Sequence, residues 1–285
     1  MEDLLFRHPV KCDIGRYDEQ KDLFGTNDLY FRLHLPMCQQ DRLLINGVPL
    51  LFKFTRSKET FPLLTNDTDI KIKISKLAVH LKRVKLFPDA QLAILNAMET
   101  SPAKYFIIRN ELKSFSLNKG ILGETIENVF NGILPRRIII GLVDEAAFSG
   151  GKAYDPFKFE HFNVNHICLN VDGIMVPSIA YQPDYSNSLY MREYVNLYRF
   201  LGQDEGIPQL ELTHSDYKTK TALYAFDLSG PLAGETGTLS LLKRGAIRLE
   251  IKFSVATAKQ IKIIVFGQFD NVITIDKERN VILDY

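Results

Sequence analysis

The chain has little net charge, few cysteines and no long apolar run. Its 35 Lys and Arg stand against 34 Asp and Glu, a formal charge of +1 over 285 residues. That balance argues against a strongly basic nucleic-acid coat and against an acidic, disordered tail. The three cysteines, Cys12, Cys38 and Cys168, are odd in number and widely spaced. A zinc knuckle or a disulfide framework needs more of them, or closer ones. No stretch approaches the ~18 consecutive apolar residues of a membrane-spanning helix. Met1 to Phe6, with Glu2 and Asp3, does not have the form of a signal peptide. These absences predict a soluble globular protein of a reducing compartment. A chain of this length buries roughly three-quarters of the surface its unfolded form exposes, so its core needs no covalent staple.

What is present is alternation. Ile70, Ile72 and Ile74 are separated by Lys71 and Lys73, the pattern of a strand with one buried and one wet face. The apolar set then shifts to Leu77, Val79 and Leu81, and again to Val84 and Leu86. With a side-chain period of two, each shift implies a bulge or break in a long, bent strand pair. Ile247, Leu249, Ile251 and Phe253 repeat the alternation, while 138–140, 223–226 and 263–266 are apolar on both faces, as central strands are. Further strands are predicted at 105–108 and 115–117. Asp172-Gly173 between Ile167–Val171 and Ile174–Val176, and Asn46-Gly47 between Leu43–Ile45 and Val48–Phe54, read as hairpins. Two helices interrupt the strands. One begins at Pro88 and runs to Thr100; the other lies within Ser186–Gly202, with Tyr190, Tyr194, Leu197 and Leu201 on one stripe and Gly202 as its stop. Many strands and few helices predict an all-β, jelly-roll β-sandwich with short inserted helices. The polar stretch Thr65–Asp69 marks the expected boundary between residues 1–66 and 67–285.

Chemistry-bearing patterns are sparse. His161 and His166 are five apart, and there is no His-x-His pair of the kind a jelly-roll metal site uses, so no metal ligand is assigned. Asp144 and Glu145 are adjacent at a strand end and would point to opposite faces, which denies them a shared substrate. Gly230–Ser240 is glycine-rich but lacks the Lys of a phosphate loop. Ser149 precedes Gly150-Gly151, yet Ala147 stands where a nucleophile elbow needs its first glycine. Lys82-Arg83 and Arg136-Arg137 are short basic pairs without the aromatic platform of a single-strand binder. No catalytic residue, cofactor or sequence-specific nucleic-acid contact is assigned, and elimination points to a non-enzymatic role in assembly. Tyr190, Arg192 and Tyr194 of the second helix and Phe148, Tyr154 and Phe157 of the loop after Glu145 are the candidate subunit contacts. The alternative is a jelly-roll binding module for a glycan or a protein partner.

Several blocks carry a resemblance. PAKYFIIRNELKSFSL (102–117), the long block 134–177, YMREYVNLYRFLG (190–202), ALYAFDLS (222–229) and residues 245–285 resemble the major capsid protein of Polinton (Maverick) virus-like transposons and of adintoviruses. The similarity runs from about Phe31 to Tyr285. It implies the C-terminal half of a double jelly-roll capsid protein. Residues 67–285 would be its C-terminal jelly roll, and 1–66, with 40–61 in particular, remnant closing strands of a preceding one. The resemblance further implies self-association into homotrimeric capsomers, a minor (penton) capsid protein as a second partner, and a virion location. Without a virion, the expected place is the cytoplasm or nucleus. No membrane and no cofactor enter. Unpartnered closing strands at 43–61 would expose backbone edges and favour association.

Overall fold

The structure, a computed structural model, describes residues 30, 31, 33, 35–39, 42–58, 60–66, 70–203, 211–229 and 243–283. Cys12 and the glycine-rich stretch Gly230–Ser240 lie outside these residues. The elements are α1 (Pro88–Thr100), β1 (Ala103–Leu117), β2 (Gly123–Ile133), β3 (Arg137–Asp144), α2 (Glu145–Phe148), β4 (Val164–Val171), β5 (Ile174–Tyr181), α3 (Met191–Phe200), α4 (His214–Lys220), β6 (Leu223–Asp227), β7 (Arg244–Phe253), β8 (Ile261–Ile275) and β9 (Val281–Leu283).

One sheet has the order β1-β8-β3-β6, with β9 paired to the far end of β8; the other has β2-β7-β4-β5. Six of the seven links between β1 and β8 cross from one sheet to the other, and only β4 to β5 stays in its own sheet. This is the eight-stranded double Greek key of a jelly roll. The expected fold class, a jelly-roll β-sandwich with short inserted helices, is the observed one.

The sequence periodicity explains the layers. On β7, Ile247, Leu249, Ile251 and Phe253 point inward against Ile167 and Leu169 of β4 and Ile138, Ile140 and Leu142 of β3; all are buried. The Ile138–Ile140 run is apolar on both faces because Ile139 points the other way. It joins Leu197, Phe200, Leu212 and Tyr217 in a second core, where α3 and α4 cover the outside of the β3–β6 edge. Gly141 makes that close approach work: a Cβ there would sit 2.5 Å from the Phe159 ring and 2.7 Å from Leu223. The β4–β5 turn forms as the sequence predicts, with Asp172 at φ 50° and Gly173 at φ 89°.

The chain divides into two compact units, one containing 57–68 and 110–269, the other 28–56, 69–109 and 270–285. Two expectations fail in the second. The Asn46-Gly47 turn exists, with Gly47 at φ 84°, but its flanks belong to no sheet. Backbone groups of 43–45 are taken by a side chain instead: the buried Tyr105 hydroxyl donates to the Leu43 carbonyl and accepts from the Ile45 amide, both at 3.1 Å. Likewise the alternating segment from Ile70 to Leu86 is not a strand pair. Ile72, Ile74, Leu77, Val79, Leu81, Val84 and Leu86 are all exposed. Alternation signals readiness to pair, and pairing needs a neighbour. The second expected helix also starts later, at Met191, and ends as predicted before Gly202 at φ 66°.

Candidate functional site

Three places gather the side chains that chemistry could use. The first is the loop after β3. Asp144 caps α2, its Oδ1 accepting from the Ala146 amide at 2.8 Å. Glu145 turns elsewhere and pairs with Lys262 at 3.6 Å. The two carboxylates therefore serve a helix cap and an ion pair, each with its own partner. Phe148 is half-buried under the Lys262 ammonium, which lies 5.3 Å from its ring centre. Phe157 meets Phe61 edge-on at 6.0 Å. Tyr154 stays 51 % exposed. Beside them is a cavity of about 300 Å³ lined by Ser57, Lys58, Phe61, Phe148 and Ser149. Ser149 donates to Glu145 at 3.3 Å, and among the described residues no imidazole lines this cavity to act as its base.

The second is the helix layer. Tyr190, 2 % exposed, belongs to an aromatic column: His161 stacks on Tyr185 at 4.0 Å, Tyr185 on Tyr190 at 5.1 Å and Tyr190 on His214 at 4.1 Å. Tyr194 and Tyr198 both donate to the Leu212 carbonyl, at 2.8 and 2.7 Å. Arg192 is exposed, donates to the carbonyls of Ile179 and Ala180, and lies 4.9 Å over the Tyr181 ring. Of the three contact candidates on this helix, Tyr190 is thus spent inside the chain, while Arg192 and part of Tyr194 remain accessible. Burial drives the phenol pKa values up: Tyr181 to about 12, Tyr217 and Tyr224 well above their ordinary value. These hydroxyls stay protonated donors at neutral pH. They hold helices in place and cannot act as bases.

The third place was missed by the sequence reading. His166 and Cys168 of β4 and Glu250 of β7 project from the same face of the four-stranded sheet. His166 Nε2 is 3.6 Å from the Cys168 Sγ and 3.8 Å from Glu250 Oε1. Burial first, and the Glu250 charge second, push the thiol pKa up. A search for His-x-His passes over a His-x-Cys pair, although the same i, i+2 spacing on a strand would have found it.

No protein-family model matches the chain. A curated protein of Caenorhabditis elegans, the uncharacterized protein F54H12.2, is 23 % identical over 270 residues, which is 91 % of this chain and 64 % of that protein. Among solved structures, the Faustovirus major capsid protein is similar over 67 % of this chain and 36 % of its own, at 9 % identity and a TM-score of 0.47. The PBCV-1 VP54 structure fitted into a reconstruction of the virophage Sputnik is similar over 70 % and 55 %, at 11 % identity and a TM-score of 0.46. The mavirus major capsid protein is similar over 65 % and 41 %, at 13 % identity and a TM-score of 0.36. The chain therefore spans less than two thirds of the length of each of these proteins. No helix among the described residues is long and apolar enough to cross a membrane.

Proposed function

We propose that this chain is a structural subunit of the viral major-capsid type, whose work is to pack against copies of itself. The observation that carries this reading is the segment Ile70–Leu86. Seven of its eight large apolar side chains, all but Ile70, are each at least 38 % exposed, on a backbone that belongs to no sheet. An alternating apolar segment held open in this way is a strand awaiting a neighbour, and it is a liability in a protein that works alone. Val48–Phe54, with Leu50, Leu51 and Phe54 exposed, has the same character. Val48–Phe54 lies within the stretch 40–61 expected to supply closing strands of a preceding jelly roll, and Ile70–Leu86 lies within 67–285, expected to be the C-terminal one. Within the jelly-roll core, the buried phenols and the capped or paired carboxylates serve structure. The resemblance of residues 102–117, 134–177 and 245–285 to Polinton capsid proteins points the same way. In this reading the capsomer is a homotrimer, Tyr154, Phe148, Phe157, Arg192 and Tyr194 lie at or near subunit contacts, and the protein resides in a virion.

Negative-stain electron microscopy of the expressed full chain tests it. Uniform threefold particles, or sheets of them, are expected. Isolated monomers that instead bind a defined oligosaccharide on a glycan array would replace this reading with that of a binding module.

A further inference from the structure

We infer that His166, Cys168 and Glu250 form a zinc(II) site on the outer face of the four-stranded sheet, with the fourth tetrahedral position open to water. This goes beyond the assembly reading and stands independently of it.

The backbone builds the site. His166 and Cys168 are two apart on β4 and so share a face, and Cys168 lies directly across from Glu250 on β7. The pairing slips between Val164 and His166. Val164 points into the core with Ile167 and Leu169, so without that bulge His166 would fall on the inner face. The extra residue turns the His166 imidazole and the Cys168 thiol outward together, while Ile167 and Leu169 stay in the core. Bulges that redirect a side chain in this way recur beside functional sites.

The donor geometry suits the ion. Zn–S bonds of about 2.3 Å and Zn–N and Zn–O bonds of about 2.0–2.2 Å place tetrahedral donors about 3.3–3.6 Å from one another. The observed separations are 3.6 and 3.8 Å, and all three donor atoms lie within 4.8 Å of one another. Closure needs a movement of the Glu250 carboxylate, whose side chain is 36 % exposed. A thiolate, an imidazole and a carboxylate together select zinc over the hard cations magnesium and calcium. Cys168 is 3 % exposed, which shields its sulfur from disulfide exchange while leaving it facing the other two donors. Lys252 Nζ sits 2.8 Å from Glu250 Oε1 and holds the carboxylate until the metal takes that oxygen. Its side chain is 56 % exposed and free to move to the other oxygen or to water.

Cobalt(II) titration of the purified, chelator-treated full chain provides the test. One cobalt per chain is expected, with the visible absorption of a four-coordinate ion and a near-ultraviolet sulfur-to-cobalt band, both abolished by one equivalent of zinc. Cys168→Ser should remove the sulfur band while circular dichroism stays unchanged. Glu250→Gln should weaken cobalt binding by at least about tenfold, and Lys252→Met should strengthen it. Zinc should also raise the melting temperature of the wild type and leave that of a His166→Ala, Cys168→Ser double variant unmoved. Absence of saturable binding at micromolar metal would overturn the assignment, as would a cobalt spectrum that the double variant retains.

Discussion

Tyr185 and Tyr224 share a hydroxyl–hydroxyl hydrogen bond of 2.9 Å, although their rings belong to different cores. Tyr224 lies between the two sheets and Tyr185 among the helices outside. The bond ties the α3–α4 layer to the β6 edge of the sandwich through a buried polar link. Tyr224→Phe should cost about 1 kcal/mol of unfolding free energy, the usual net value of such a bond. In a urea-denaturation cycle with Tyr185→Phe, the double variant should lose less than the sum of the singles. Strict additivity would show that the bond couples nothing.

Gly141 admits Phe159 and Leu223 at distances no Cβ tolerates. Both neighbours are buried, so neither can swing away into solvent. Gly141→Ala should therefore destabilise by roughly 1–3 kcal/mol through overpacking. Thermal unfolding followed by circular dichroism reads this directly, and an unchanged midpoint would contradict the packing described.

Glu193 is 4 % exposed on α3. Burial raises its carboxyl pKa above the ordinary value, opposed in part by hydrogen bonds to the Glu193 and Gln182 amides and by the Arg192 charge. A carboxyl raised on folding contributes stability that is full below the unfolded pKa and lost as pH rises through the folded one. Glu193→Gln keeps an acceptor for the amides and removes that loss. The variant's stability relative to wild type should grow as pH rises above the ordinary carboxyl range; a difference independent of pH would refute it. His161 acts with the opposite sense in both variant and wild type and so cancels. Burial and Lys218 lower its pKa, and protonation would remove the Nδ1 acceptor that binds the Asn163 amide at 2.9 Å.

The loop aromatics separate folding from association. Phe157 packs on Phe61 and Phe148 lies under Lys262, so truncating either should cost stability. Tyr154 is 51 % exposed. Tyr154→Ala should lower the fraction of oligomer in sedimentation while moving the melting temperature little. A large loss of stability with association intact would place Tyr154 in the loop core instead.

The barrel was readable because its strands are two-sided. Ile247 to Phe253 alternates because one face is wet, and Ile138 to Ile140 does not because helices cover the other. β2 escaped notice because polar residues interrupt it and its register shifts between Ile126 and Phe130. α4 was missed because it is short, with Tyr217 its single buried residue, although Thr213 and Asp216 form the capping pair that announces it. Ile70 to Leu86 misled in the other direction. Local alternation reports what a segment would do beside a partner, and no periodicity reveals whether the partner is in the same chain. At the candidate sites, the buried fate of Tyr190 depends on His214 and Tyr217, which are far from it in sequence. The Cys168–Glu250 juxtaposition depends on pairing across 82 residues of chain.

Self-association is the centre of this account, and sedimentation velocity of the full chain across a hundredfold range of micromolar concentrations addresses it most directly. The account predicts a species of about three times the chain mass that gains weight with concentration and yields to replacement of Ile74, Leu77 and Leu81 by Ser. A single monomer peak, unmoved by concentration or by those replacements, would contradict it.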